Sequence, residues 1–94
     1  MNYLAQDAER IKRALLAGVE VPEDSDDLFL LYAVLLRAKG AAITTADVHD
    51  AWSAWMIRRD PEHDAIKPFA ELARDVRVED EPFTEAIRAC ARAR

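Results

Sequence analysis

The chain has 94 residues and a net charge of -5, which sets a single domain, 1–94, able to bury roughly 60% of its unfolded surface and so to fold without staples. Its acidity argues against bulk attraction to nucleic acid or to an anionic membrane. A single cysteine, Cys90, rules out an intramolecular disulfide and a Cys-cluster metal site, and the opening Met-Asn-Tyr-Leu-Ala-Gln-Asp has neither the basic start nor the long apolar run of a signal peptide. A cytoplasmic location is expected.

The first predicted element is a helix over residues 2–17. Leu4, Ala8, Ile11 and Leu15 recur at spacings of four, three and four residues, which makes one narrow apolar stripe, with Glu9, Arg10 and Arg13 on the opposite side. Gly18 ends it. An acidic linker with Glu20, Pro22, Glu23 and Asp24 leads to the apolar run 28–36, which carries no charge. Ser25 is placed to cap a helix over 26–39, Asp26 and Asp27 suit its positive end, and Arg37, Lys39 and Gly40 close it. With an apolar middle on every side, this helix is expected to be buried all round, with other helices packed on it. A membrane span needs about 20 apolar residues, so the run is too short to be one.

Thr44 and Asp47 read as a capping box for a third helix over 45–59. Its core stripe is Val48, Ala51, Trp52, Trp55, Met56 and the stem of Arg59, while Ile57 and Ala54 fall on the other side, where a partner chain could lie. Asp60-Pro61 stops it. Segment 60–81 is the least regular. A short helical turn is expected to start at Pro68, anchored by Phe69 and Leu72, and Val76 and Val78 alternate around Arg77 as in a short extended piece. A last helix opens at Asp80-Glu81-Pro82, with Phe83, Ala86, Ile87 and Cys90 buried and Arg88, Arg92 and Arg94 outside. The fold class that follows is all-α, a small orthogonal bundle of about four helices around the central helix 26–39.

Few residues could carry chemistry. His49 lies at the edge of the tryptophan face with Asp50 beside it and Ser53 one turn on, but no Gly-rich loop is present to hold an oxyanion. His63 stands among Asp60, Glu62 and Asp64 without metal-ligand spacing. With only Gly18 and Gly40 in the chain, no phosphate-cradling loop exists. No cofactor, metal or catalytic residue is expected. Helix, Gly40, turn and Thr-capped helix also outline a helix-turn-helix, in which His49, Asp50, Ser53 and Ile57 would face DNA. Carboxylates at that face and bases only at Arg58 and Arg59 fit phosphates poorly.

Val48-His49-Asp50-Ala51-Trp52, followed by His63, Lys67-Pro68-Phe69-Ala70-Glu71-Leu72, Glu79-Asp80-Glu81 and a closing helix with Ala86 and Ile87, resembles the ryanodine-receptor (RyR) repeat domain over about 44–93. The family's Gly-containing loop between the Trp and the second motif is missing here. The N-terminal half is similar to small uncharacterised proteins of actinobacteria and their phages. The RyR resemblance implies a small helical binding module rather than an enzyme, with His49 and Trp52 as the paired motif residues and Pro68, Phe69 and Leu72 packing onto them. The expected function is therefore non-enzymatic binding of a protein partner or of a small aromatic or nucleotide-like ligand near His49, Trp52, Trp55 and Phe69. A helix-turn-helix DNA-binding regulator is the alternative. Nucleic acid and membrane are not expected partners, and a homodimer is possible. A flat apolar patch around the tryptophans would favour a partner chain, and a concave pocket lined by indole would favour a ligand.

Overall fold

A computed structural model describes residues 1–93. Among these the chain is all-helical, and every long element folds around one central helix. Helix α1 spans Tyr3–Ala14, α2 Asp26–Lys39, α3 Thr45–Arg59, the short α4 Arg74–Val78 and α5 Glu81–Arg92, with single 3-10 turns at Gly40–Ala42 and Phe69–Glu71. Helices α1, α3 and α5 each pack on α2. No helix of the described chain is long and apolar enough to cross a membrane.

Helix α1 starts where Asn2 Oδ1 accepts the Ala5 N–H at 2.8 Å. It ends at Ala14, shorter than the periodicity predicts, because Leu15 N–H bonds back only to Lys12 O and the Leu15 backbone turns extended. Leu16 is thereby carried into solvent. Ala8 and Ile11 face the core as expected. So does Asp7, whose carboxylate is fully buried: Oδ1 accepts from Arg10 Nη1 at 2.9 Å and Oδ2 from Arg37 Nε at 2.7 Å. This ion pair ties α1 to α2.

Helix α2 buries Leu28, Phe29, Tyr32, Ala33 and Leu36, while Leu30, Leu31 and Leu35 are half-buried and Val34 is 47% exposed. The all-round burial expected of this run is therefore corrected: three helices cover most of its circumference and leave a strip open. Ser25 occupies the cap position, but at φ -100°, ψ 16° it lacks the extended backbone that aims a hydroxyl at the first N–H groups, and it makes no side-chain cap bond. Its backbone carbonyl instead takes the Phe29 N–H. Tyr32 meets Phe29 edge-on at 5.4 Å between ring centres and Phe83 at 5.8 Å, so three rings fill the space between α2 and α5.

The capping box of α3 is present in both directions: Thr44 Oγ1 accepts the Asp47 N–H at 3.1 Å and Asp47 Oδ2 accepts the Thr44 N–H at 3.0 Å. Val48 and Trp55 are buried, Ala51, Trp52 and Met56 half-buried, and Ala54 and Ile57 exposed. Pro68 precedes the Phe69–Glu71 turn as expected, and Leu72 is buried. The extended piece expected at 76–78 is instead helix α4. With no strand to pair with, its amides bond locally, Val76 and Arg77 N–H both reaching Ala73 O at 3.0 Å. The Arg77 guanidinium holds the turn by donating to Leu72 O and Ala70 O.

Helix α5 buries Phe83, Thr84, Ala86 and Ile87, and Cys90 is half-buried. Arg88 does not point simply outward: its Nη2 donates to Ile43 O at 2.9 Å, fastening the turn before α3 to α5. Arg92 is exposed as expected, and Arg94 lies outside the described residues.

Candidate functional site

The bundle leaves a recess on the side where the α1–α2 linker meets α2, α3 and the start of α5. It is a cavity of about 610 Å³, walled by linker residues between Gly18 and Pro22, Leu28 and Tyr32 of α2, His49 and Trp52 of α3, His63 and Ala65, and Val76, Glu79, Asp80, Pro82 and Phe83.

His49 is the hinge of the site. The exposed ridge expected for it is corrected, since it is only 2% exposed. Segment 60–68 folds back over α3 and places the Lys67 carbonyl 2.8 Å from His49 Nε2. A carbonyl only accepts, so Nε2 carries a proton and donates it. The other ring nitrogen, Nδ1, lies 3.4 Å from Asp80 Oδ2 at the start of α5. Trp52 stacks on the imidazole at 5.5 Å with 21° between planes, Phe69 lies 6.1 Å away on a tilt, and His63 sets its ring against the edge of Trp52 at 5.1 Å. His63 Nδ1 accepts the Ala65 N–H at 3.1 Å, which folds the loop onto the indole.

Two further groups complete the floor. Burial pushes the Asp80 carboxyl above the usual carboxylate range, against the opposing pull of His49. Burial, with a smaller contribution from the Asp80 charge, also pushes the Tyr32 phenol well above its ordinary value, so the hydroxyl stays neutral. Tyr32 is 1% exposed, and its hydroxyl makes no hydrogen bond among the described residues. Yet no fully buried polar side-chain atom there is left without a partner, so this hydroxyl must open into the cavity that Tyr32 lines.

Of the residues expected at the site, His49 and Trp52 line the cavity, and Phe69 lies beside His49 at 6.1 Å without lining it. Trp55 does neither: it is 7% exposed, belongs to the core, and carries the Arg59 guanidinium at 4.3 Å over its ring, away from the cavity. One helical turn separates the two indoles, enough to put one in the core and one on the recess. Tyr32, Asp80 and His63 were not among the expected site residues. Tyr32 offered a signal, being the sole side chain with a polar atom in an otherwise apolar run. His63 and Asp80 entered the sequence reading only as a loop residue, as helix-terminal charge and as positions of the RyR-like pattern.

Ser53 Oγ, His49 and Asp80 stand in the order of a hydrolytic triad, Oγ being 3.3 Å from Nε2. The chemistry differs. A triad histidine keeps the Nε2 lone pair free to take the serine proton, whereas here Nε2 already donates to Lys67 O. Among the described residues no group of three or more His, Cys, Asp or Glu side chains is arranged to hold a metal ion.

The family described as a domain of unknown function, DUF7701, matches residues 2–92, and the chain belongs to it. No curated protein and no solved structure matches the chain at a significant level.

Proposed function

We propose that this DUF7701 chain is a non-enzymatic binding module, similar in plan to a RyR repeat domain, whose recess takes a small ligand with an aromatic or apolar body. One observation carries the reading: the indole of Trp52 lines a concave cavity into which the Tyr32 hydroxyl opens, making no hydrogen bond among the described residues. A volume of about 610 Å³ is in the range of small-molecule sites. The stacked His49–Trp52 pair and Phe69 beside it support the RyR-like plan. The commitment of His49 Nε2 to a backbone carbonyl supports binding over catalysis. The helix-turn-helix alternative gains nothing from α3, whose outward face is Asp50, Ala54 and Ile57 ahead of Arg58.

The test is a nitrogen–proton correlation spectrum of the labelled protein titrated with small aromatic and nucleotide compounds, beside thermal melts of wild type, Trp52→Phe and His49→Ala. A ligand of the recess moves the Trp52 indole N–H signal, leaves that of Trp55 in place, and raises the melting temperature of the wild type more than that of His49→Ala. Compounds that move neither indole, or only Trp55, would refute the reading.

A further inference from the structure

The lining of the recess is uneven in charge, and that unevenness selects among ligands. Glu20 and Glu79 stand exposed at its rim and Asp80 at its floor, while none of its lining residues is a lysine or arginine. Its only basic side chains are the two histidines already described. Arg59 and Arg77 are engaged elsewhere. Arg59 donates to Asp24 O and covers Trp55, and Arg77 donates to Leu72 O and Ala70 O. Of these carboxylates only Asp80 has a basic side chain against it, His49 Nδ1 at 3.4 Å, and no lysine or arginine of the lining stands beside Glu20 or Glu79.

We infer that the ligand is a small organic cation, a protonated amine on an apolar or aromatic body, and not a phosphate-bearing nucleotide. This inference rests on reading the recess as a ligand site. An ammonium group supplies N–H donors for the Tyr32 oxygen and the Asp80 carboxylate, and positive charge against the indole of Trp52. The Tyr32 hydroxyl is the independent sign that a polar ligand group belongs here, because it opens into the cavity and makes no hydrogen bond among the described residues. A phosphate at the same place would meet the Asp80 carboxylate, pass Glu20 and Glu79 at the rim, and find no charged donor other than a histidine.

The discriminating experiment compares probes of one shape and different charge on the full chain: phenethylammonium, 2-phenylethanol and phenylacetate, with adenosine monophosphate as the nucleotide. Binding is followed by the Trp52 indole N–H signal. Phenethylammonium should bind at least tenfold more tightly than 2-phenylethanol, and phenylacetate and the nucleotide more weakly than either. Asp80→Asn should remove most of that preference while 2-phenylethanol binding stays. If Asp80→Asn does not fold, the double change Glu20→Gln with Glu79→Gln, both at exposed positions, should reduce the preference severalfold. Equal or tighter binding of the neutral or anionic probes at Trp52 would overturn the cation inference and leave the ligand site standing. Failure of every probe to move Trp52 would remove both.

Discussion

Replacing Tyr32 with phenylalanine removes one oxygen and leaves the ring, and the structure says what that oxygen is worth. The ring's contacts with Phe29 and Phe83 at 5.4 and 5.8 Å are kept, so no core cavity opens. The hydroxyl has no hydrogen-bond partner among the described residues. Taking an unpaired hydroxyl out of water costs about 1–3 kcal/mol, and part of that cost is offset because the oxygen opens into the recess. Tyr32→Phe should thus be between neutral and about 1 kcal/mol stabilising, which for a domain of this size is a rise in Tm of up to about 8 °C. Tyr32→Ala, which deletes the ring as well, should lose about 3–5 kcal/mol and serves as the reference. Urea and thermal melts at neutral pH measure both. A loss above about 1 kcal/mol in Tyr32→Phe, the net worth of a typical hydrogen bond, would show that the hydroxyl is paired in the folded protein. It would then not be waiting for a ligand, and the reasoning for the site would fail.

Four further substitutions test single local features. Asp7→Ala should cost about 3 kcal/mol, near the lower end of the range for breaking a buried pair. The value is low because Arg37 and Arg10, 44% and 55% exposed, remain within reach of water. Arg10→Ala, which leaves Asp7 with Arg37, should cost under about 1 kcal/mol in the same urea melts. The Thr44 backbone N–H, ahead of the Thr44 hydroxyl and Lys39 and against the opposing effect of burial, lowers the Asp47 carboxyl below its ordinary value. Its stabilisation is therefore present above the unfolded value near 3.9 and lost as pH falls through the lower folded value. The advantage of wild type over Asp47→Ala, about 1 kcal/mol as for other helix caps, should be complete above roughly pH 5 and shrink below it. Gly40 sits at φ 55°, ψ -134° with open space where a Cβ would lie, so Gly40→Ala should lose about 1–3 kcal/mol from backbone strain alone, measured by thermal melting.

Much of the fold was legible because its signals are local. The Thr44–Asp47 box, the Asp60-Pro61 stop and the Pro68 turn are each decided by side chains within three or four residues of the backbone groups they satisfy. Where the reading failed, a distant partner had decided the outcome. The end of α1 depends on the path of the linker, the exposure of Val34 depends on how many helices reach α2, and α4 replaced an extended piece because no strand lay beside it. Asp7 could not be found by periodicity, since an acid on the apolar side of a helix reads as an interruption until Arg37 is seen 30 residues away.

The site shows the same division at closer range. His49 and Trp52 were legible as a pair because residues three apart on a helix share a face, and they stack. Trp55 was grouped with them by the same rule, since it too is three residues from Trp52. The rule gives neighbours along a helix but not what lies opposite them: Trp55 joins the buried core, whereas His63 of the folded-back 60–68 segment lies against Trp52. Tyr32 and Asp80 come from other elements, and no spacing in the sequence relates them to His49. The chemistry of the recess is in this sense a product of packing. Helix α2 supplies a hydroxyl, α5 a carboxylate and α3 the aromatic wall, and each is unremarkable in its own segment. Only together do they make a hollow with acceptors at its floor, aromatic surface beside them and no lysine or arginine in its lining.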